Sequence, residues 1–235
     1  RFRSAMKTGY FDLQAHLRWY VRRCGDQPNR DLMERAMRLQ TQVLSPVAPH
    51  LAEEAWEALG AGGMACTSLL PEPEEADDRA RRAMAGEQLL VSTMDDIREI
   101  LRITGIEPRV VRLYTAPAWK GRVHTIAARM LAEDRLDMGA LMKEAMTDPG
   151  VRAHSKAVPP FAQQLVNDLP RTAQDILERI GSLPDEAEFL DENRDFMERE
   201  VNCPVQVMPA DDPDLDDPGN KARQAVPGRV AIYVE

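Results

Sequence analysis

The chain has 235 residues, 43% of them hydrophobic, and its 39 acidic residues against 30 lysine and arginine residues give a formal net charge of −9. This length allows one large domain or two small ones with a hydrophobic core, and no apolar run approaches the roughly 18 residues of a membrane-spanning helix. Three isolated cysteines, without a CxxC pair, argue against a disulfide framework or zinc site and predict a reducing, cytoplasmic location.

The chain begins with Arg1-Phe2-Arg3 instead of methionine and has no signal peptide. We therefore expect it to be a piece of a longer protein.

Charge is distributed unevenly along the sequence. Residues 1–45 hold nine basic and four acidic side chains, a net of +5, and residues 98–130 hold seven and two, also +5. Residues 168–217 hold four basic and sixteen acidic side chains, a net of −12. Two basic regions are compatible with RNA binding through one face, while an ordinary solvated surface with chance clustering is the alternative.

The first 70 residues predict a helical bundle. Apolar residues recur at helical spacing over residues 5–23, and Asn29 is a suitable N-cap for a second helix after a turn at residues 25–29. Pro46 and Pro49 end that helix, and Pro49 also opens a third helix, which buries Trp56 and stops at Gly60. Short connections between three helices favour antiparallel packing.

A connection follows the bundle. Residues 60–83 combine a glycine-rich run with a charged, proline-containing stretch, and a helix then carries an apolar stripe. We expect residues 71–104 to form a linker and a helix that packs on the bundle, because the stripe lasts under three heptads and does not support a coiled coil. The stripe consists of Leu90, Met94, Ile97 and Leu101.

Residues 105–235 predict a small α+β domain with about three strands. Alternating or β-branched runs mark strands at residues 109–115, 204–208 and 230–234, with helices near 124–133, 138–147, 161–168 and 186–201 between them. The strand order stays open. The acidic stretch at residues 211–220 is expected to be a solvated loop. Counted from Asp212, it does not fit an EF-hand calcium loop, because position 6 is Asp217 instead of glycine and position 12 is Arg223 instead of glutamate.

No catalytic constellation is present in this sequence. His16, His50, His124 and His154 stand alone, without metal-ligand spacing, and the phosphate-binding, dinucleotide-binding and hydrolase motifs are missing. The adjacent carboxylates of residues 53 and 54 point about 100° apart on a helix and do not converge on one substrate. We therefore assign this chain no catalytic residues and no metal site.

Five segments carry a resemblance to one family. The run Leu44–Gly60, LSPVAPHLAEEAWEALG, resembles the anticodon-binding helical domain of class I aminoacyl-tRNA synthetases for leucine, isoleucine and valine. The segments YFDLQ and LRWYVRRCG, at residues 10–14 and 17–25, are similar to archaeal and eukaryotic-type leucyl-tRNA synthetases. Two later segments resemble the archaeal leucyl-tRNA synthetases: ITGIEPRVVRLYTAPAWK at residues 103–120 and PGRVAIYVE at residues 227–235. The region at residues 211–220 shows no firm family pattern.

The resemblance implies a ligase of protein biosynthesis that joins leucine to its tRNA with ATP and Mg²⁺. The catalytic and editing domains would precede this chain, which lacks the HIGH and KMSKS motifs and is expected to be inactive alone. The implied partners are tRNA(Leu) and those domains, not DNA or a membrane. In this family the bundle docks along the tRNA body, and the C-terminal domain reaches the elbow and the long variable arm.

Candidate RNA contacts lie in three places. On the first helix, Arg18, Arg22 and Arg23 offer guanidinium groups that match phosphate geometry, and Trp19 can stack a base or pack in the core. After the first strand, the aromatic Trp119 has the basic neighbours Lys120 and Arg122. At the end of the chain, the apolar Ile232 and the acidic Glu235 are placed to meet unpaired bases. A solvated helix face or ordinary packing is the alternative for each.

The sequence leaves two alternatives to a tRNA-binding portion of a synthetase: a stand-alone module and an independent enzyme. A stand-alone, non-catalytic protein-interaction or RNA-binding module would account for the acidic segment and the apolar stripe of residues 90–101. An independent enzyme is disfavoured because nucleophile, base and oxyanion site are not assembled.

Overall fold

The computed structural model describes residues 2–25 and 27–235, so Arg1 and Asp26, both in the basic first segment, lie outside the described residues. Contacts divide the chain into two compact units, residues 1–75 and 76–235. A helical bundle followed by a small α+β unit confirms the predicted fold class. The domain boundaries drawn at residues 70 and 104 stay predictions. Within the described ranges, no helix combines the length and apolar character needed to cross a bilayer.

The first unit is built from helices. A continuous helical run passes through a π-helical stretch at Lys7–Asp12, a form that occurs mostly as short insertions in α-helices. This run contacts the third α-helix, which in turn contacts the fourth. The α-helices are α1 (Phe2–Met6), α2 (Leu13–Cys24), α3 (Arg30–Leu44) and α4 (Pro49–Ala58), followed by a 3₁₀ turn at Ala65–Thr67.

Local chemistry sets the ends of these helices as the sequence predicts. The Asn29 side chain accepts a hydrogen bond from the Leu32 backbone N–H at 2.9 Å, which satisfies a donor that α3 cannot pair internally. Pro49 occupies the first turn of α4. Beyond the end of α4, Gly60 has φ of 63°, a left-handed conformation that favours glycine.

Trp56 organises a small core at the end of the bundle. Its ring is 8% exposed and packs with Ala52 and Ala65, while its indole N–H donates to the Gly62 carbonyl at 3.2 Å. The Glu53 carboxylate accepts hydrogen bonds from the backbone N–H groups of Ala65 and Cys66, at 2.9 and 3.1 Å. These bonds lower the pKa of Glu53. The chain after α4 is thus tied back onto α4.

The second unit contains one long helix, a series of shorter helices and three strands. The predicted 186–201 helix is broken at Asn193, and a helix at Gln174–Gly181 was not predicted from the sequence. The elements are α5 (Asp78–Thr104), β1 (Val111–Thr115), α6 (Ala118–Ala132), α7 (Met138–Ala145), α8 (Pro149–Arg152), α9 (Val158–Asp168), α10 (Gln174–Gly181), α11 (Glu186–Glu192), α12 (Arg194–Val201), β2 (Val205–Pro209) and β3 (Ala231–Val234).

The three strands form one mixed sheet in the order β2-β1-β3. Strand β2 runs parallel to β1, with Val111 opposite Val205, and β3 runs antiparallel to β1, with Arg112 opposite Tyr233. The parallel pair needs a crossover connection, which the helices α6 to α12 supply. The sheet therefore places the last strand of the chain directly beside the first strand of this unit.

Side chains alternate between the two faces of the sheet. On one face Tyr114 packs with Ala222, Ala225 and Ala231, under the segment that connects β2 to β3. The other face belongs to Val111 and Leu113, both fully buried, and α5 contacts β3 while α11 and α12 contact β2. The apolar stripe of α5 is part of this core, since Leu90, Met94 and Ile97 have no exposed surface.

The Asn29 cap allows a direct test of α3. Asn29→Ala removes the side-chain acceptor, and we expect the free energy of unfolding to fall by about 1 kcal/mol. Chemical denaturation measures this loss. Asn29→Ser is the matched control, because serine also caps helices and should retain most of the stability. Unchanged stability in Asn29→Ala, or an equal loss in Asn29→Ser, would contradict a stabilising role of the side-chain cap.

Candidate nucleic-acid interface

The first unit carries its basic candidates on one helix. Arg18 and Arg22 are exposed on α2 and lie four residues apart, so both project from one helix face, while Arg23 is half-buried beside them. The Arg22 guanidinium lies 5.7 Å from the centre of the half-buried Trp19 ring, a cation–π geometry. This face combines positive charge with an aromatic surface; contact with RNA stays a prediction.

Trp119 is part of the core of the second unit. It is 7% exposed, stacks on His154 with ring centres 5.5 Å apart, and meets Phe161 edge to face at 5.6 Å. The rings join α6 to α9 and to the segment before α9. Of the two alternatives set out for Trp119, the geometry is that of packing; contact with RNA stays a prediction.

Lys120 also faces inward. Its side chain is 8% exposed, and its ammonium group donates to the backbone carbonyls of Arg223, at 2.9 Å, and Ala225. Burial lowers the pKa of Lys120. These contacts join α6 to the 3₁₀ turn at Ala222–Gln224 and use two of the three N–H donors of the ammonium group.

Arg122 lies at the surface. Its side chain is 50% exposed and pairs with the Asp148 carboxylate at 2.9 Å. Asp148 also caps α8 by accepting from the backbone N–H groups of Gly150 and Val151. Arg122 is therefore the one member of the predicted 119–122 group that lies at the surface.

The two candidates at the end of the chain lie on opposite faces of the sheet. Ile232 pairs with Leu113 and faces the side of α5, whereas Glu235 follows Tyr233 on the face of Arg112. Ile232 lines an open cleft of about 570 Å³ whose charged lining residues are Asp96, Glu99, Lys120, Lys221, Arg223 and Arg229. The structure therefore does not bring the two candidates together.

Arg112 is a central residue that no motif or spacing in the sequence indicated. Its guanidinium contacts two carboxylates, Glu235 at 2.9 Å and Asp216 at 3.0 Å, and lies 5.8 Å from the centre of the Tyr233 ring. The hydrogen bond to Glu235 raises the pKa of Arg112. The Tyr114 hydroxyl donates to the Asp216 carbonyl at 2.7 Å, and burial raises the pKa of Tyr114 to about 12. A lone arginine inside the apolar run of β1 was the signal available in the sequence.

Glu186 anchors the turn that leads into β3. Its carboxylate accepts from the Gly228 N–H at 2.6 Å and from the Ala116 N–H at 3.4 Å. Burial raises the pKa of Glu186. One acidic side chain thus joins the end of β1 to the segment before the last strand, a role that sequence spacing does not reveal.

Comparison with known proteins bears on both units. Residues 1–113 match the family model of the anticodon-binding domain of tRNA ligases. The chain is 35% identical to a leucine–tRNA ligase of Methanothrix thermoacetophila over 99% of its length, and 36% identical to one of Methanococcoides burtonii over 100%. The chain belongs to the leucyl-tRNA synthetase family.

The chain corresponds to the C-terminal part of an archaeal-type member of this family, which confirms the resemblance seen in the sequence. A leucine–tRNA ligase of Pyrococcus abyssi matches at 30% identity over the whole chain. The chain spans 23–24% of the length of these three relatives.

His124 gives the second unit a predictable response to acid. It is 6% exposed in α6, and burial lowers its pKa from the usual 6.5. Between the lowered pKa and 6.5 the unfolded chain binds more protons than the folded chain, so stability rises with pH. We expect the free energy of unfolding to fall as pH drops below 6.5, with His124 contributing at most about 1.4 kcal/mol per pH unit.

Urea denaturation at several values between about pH 5 and pH 7 measures this slope. His124→Gln should flatten it. The matched control, His50→Gln, removes an imidazole from the surface instead of from the core. An equal change of slope in both variants would contradict the role of burial.

Proposed function

We propose that this chain is the tRNA-binding C-terminal portion of a leucyl-tRNA synthetase and that it holds tRNA(Leu) by its body and its long variable arm. The observation that carries the proposal is similarity to leucine–tRNA ligases along the whole chain, with a tRNA-ligase anticodon-binding model over residues 1–113. The partners of the chain are the tRNA and the catalytic and editing domains of the same enzyme.

The chemistry of leucine activation belongs to those other domains. ATP and Mg²⁺ serve the whole enzyme, in the cytoplasm, and this chain contributes no catalytic residue. Its contribution is binding energy: contacts with remote parts of a substrate help to place the reacting end correctly. For a tRNA, those remote parts are the body and the variable arm.

In the first unit, the exposed face of α2 supports contact with the tRNA body. Arg18 and Arg22 project together, and guanidinium groups match the geometry of phosphate oxygens. Contacts of this kind are independent of base identity and release counterions, so they give affinity that depends steeply on salt. We assign this face the general part of tRNA binding.

In the second unit, the end of β3 supports recognition of unpaired bases in the variable arm. The Glu235 side chain is 53% exposed and lies beside Arg112, whose side chain is largely buried. A carboxylate repels phosphate but accepts hydrogen bonds from the exocyclic amino group of a base. Ile232, on the opposite face, is available for an apolar contact. We assign this end the specific part of tRNA binding.

The alternative function, a stand-alone interaction module, was based on the acidic segment and the apolar stripe of residues 90–101. The structure removes the second of these supporting features. Leu90, Met94 and Ile97 are fully buried within the second unit, so the stripe on α5 is a core surface and does not supply an exposed docking face. A salt-independent, weak interaction with tRNA would still favour that alternative over the proposed function.

The basic face of α2 predicts a change in general affinity. Arg18→Gln with Arg22→Gln should weaken binding of this chain to tRNA(Leu) and to a tRNA with a short variable arm by the same factor. The slope of log affinity against log salt should fall by roughly 0.9 per lost phosphate contact. Fluorescence anisotropy titrations at several salt concentrations measure both effects.

Arg82→Gln is the control for this pair, since it removes an exposed positive charge from α5, outside the first unit. Unchanged affinity in the double variant, or an equal loss in the control, would remove α2 from the interface.

The end of β3 predicts a change in specificity. Glu235→Gln should lower the preference for the long variable arm by about threefold to tenfold, because a neutral amide oxygen is a weaker acceptor than a carboxylate, and should leave affinity for a short-arm tRNA unaltered. Competition binding between the two tRNAs gives this ratio. Glu192→Gln, an exposed substitution on α11, is the control. A wild-type chain that shows no preference between the tRNAs would contradict the proposed function itself.

A further inference from the structure

Arg112 occupies an unusual position for an arginine. It lies in the central strand of the sheet, its side chain is 12% exposed, and its Nε is buried without a hydrogen-bond partner among the described residues. A buried donor left unpaired costs stability. Stability alone therefore does not account for an arginine here, where an apolar residue would be easier to bury.

The two charged partners of Arg112 come from distant parts of the chain. Asp216 lies in the acidic segment 211–220, and Glu235 follows β3. Both carboxylates are largely exposed, at 64% and 53% of their side-chain surface, whereas the arginine between them is not. The guanidinium group has five N–H donors in a planar fork, so it holds two carboxylates in fixed directions.

A second observation shows that the acidic segment is built against the end of the chain. A Cβ placed on Gly219 would lie 2.5 Å from the Tyr233 ring, closer than real Cβ atoms approach other atoms. Only glycine allows this approach of the loop to β3 without movement of the ring. Arg112 and Gly219 therefore hold the loop and the last strand in one arrangement.

We infer that Arg112 is a positioning residue for tRNA recognition: its guanidinium fork holds Glu235, braced by Asp216, in the direction in which Glu235 meets a base of the variable arm. This inference rests on the proposed role of Glu235. Arg112 itself is withdrawn and flanked by two negative charges, so its contribution is to specificity and not to phosphate binding.

A double-mutant cycle tests this coupling. We expect Arg112→Gln to reduce the preference for the long variable arm by about threefold to tenfold, the range for loss of one oriented hydrogen bond. Glu235→Gln should do the same, and the double variant should lose no more than either single variant. The salt slope should stay at its wild-type value in all three, because no phosphate contact is removed.

Two further variants complete the design. Arg98→Gln is the matched control, since Arg98 also bridges two carboxylates, Asp95 and Glu200, at 3.0 and 2.9 Å. Arg112→Lys keeps the charge but not the fork, and should recover only part of the preference. If Arg112→Gln does not fold, as judged by circular dichroism, the lysine variant carries the test.

The outcomes separate this inference from the proposed function. A wild-type chain without preference for the long arm overturns both. A folded Arg112→Gln variant with wild-type preference, effects that add in the double variant, a reduced salt slope, or full preference in Arg112→Lys overturns the positioning role alone.

Discussion

The second unit depends on hydrogen bonding along both edges of β1. Val111, Leu113 and Tyr114 are fully buried, and a buried backbone N–H or carbonyl without a partner costs free energy. The partners come from β2 on one side and β3 on the other, which begin at Val205 and Ala231. The Glu235 carbonyl extends this pairing by accepting from the backbone N–H groups of Arg109 and Val110. The helices α6 to α12 must therefore bring the chain back from β1 to β2, in the same sheet.

The same pairing explains how an acidic segment coexists with a surface proposed to bind RNA. Because β3 lies beside β1, the segment that connects β2 to β3 has to cross the face of the sheet from which Arg112 projects. Asp216 is paired with Arg112, and the Asp217 carboxylate accepts from the backbone N–H groups of Lys221 and Ala222. Part of the negative charge of this loop is thus used to hold its own conformation and the end of the chain.

Local signals were sufficient for most of the architecture. The Asn29 cap, the Pro49 helix start and the three strands follow from residue chemistry and periodicity, because caps, prolines and alternation act over a few residues. The exposed arginines of α2 follow from the same spacing. The inward positions of Trp119 and Lys120 do not follow from spacing. Both residues lie in the first turn of α6, which begins after Pro117. Trp119 packs against α9, and Lys120 donates to the segment at residues 222–225. Their positive and aromatic character left RNA contact and packing as alternatives, and the burial of both side chains was decided by these tertiary contacts.

The sequence by itself determined the type and order of most elements and the membership of the leucyl-tRNA synthetase family, since both depend on residue patterns that are local or that align along the chain. It did not predict the helix at Gln174–Gly181 or the break at Asn193. Only the tertiary structure decided the strand order, the separation of Ile232 and Glu235 onto opposite faces, and the convergence of Asp216 and Glu235 on Arg112. These features depend on contacts between residues about 100 positions apart, whose energies come from burial and pairing that no local pattern encodes.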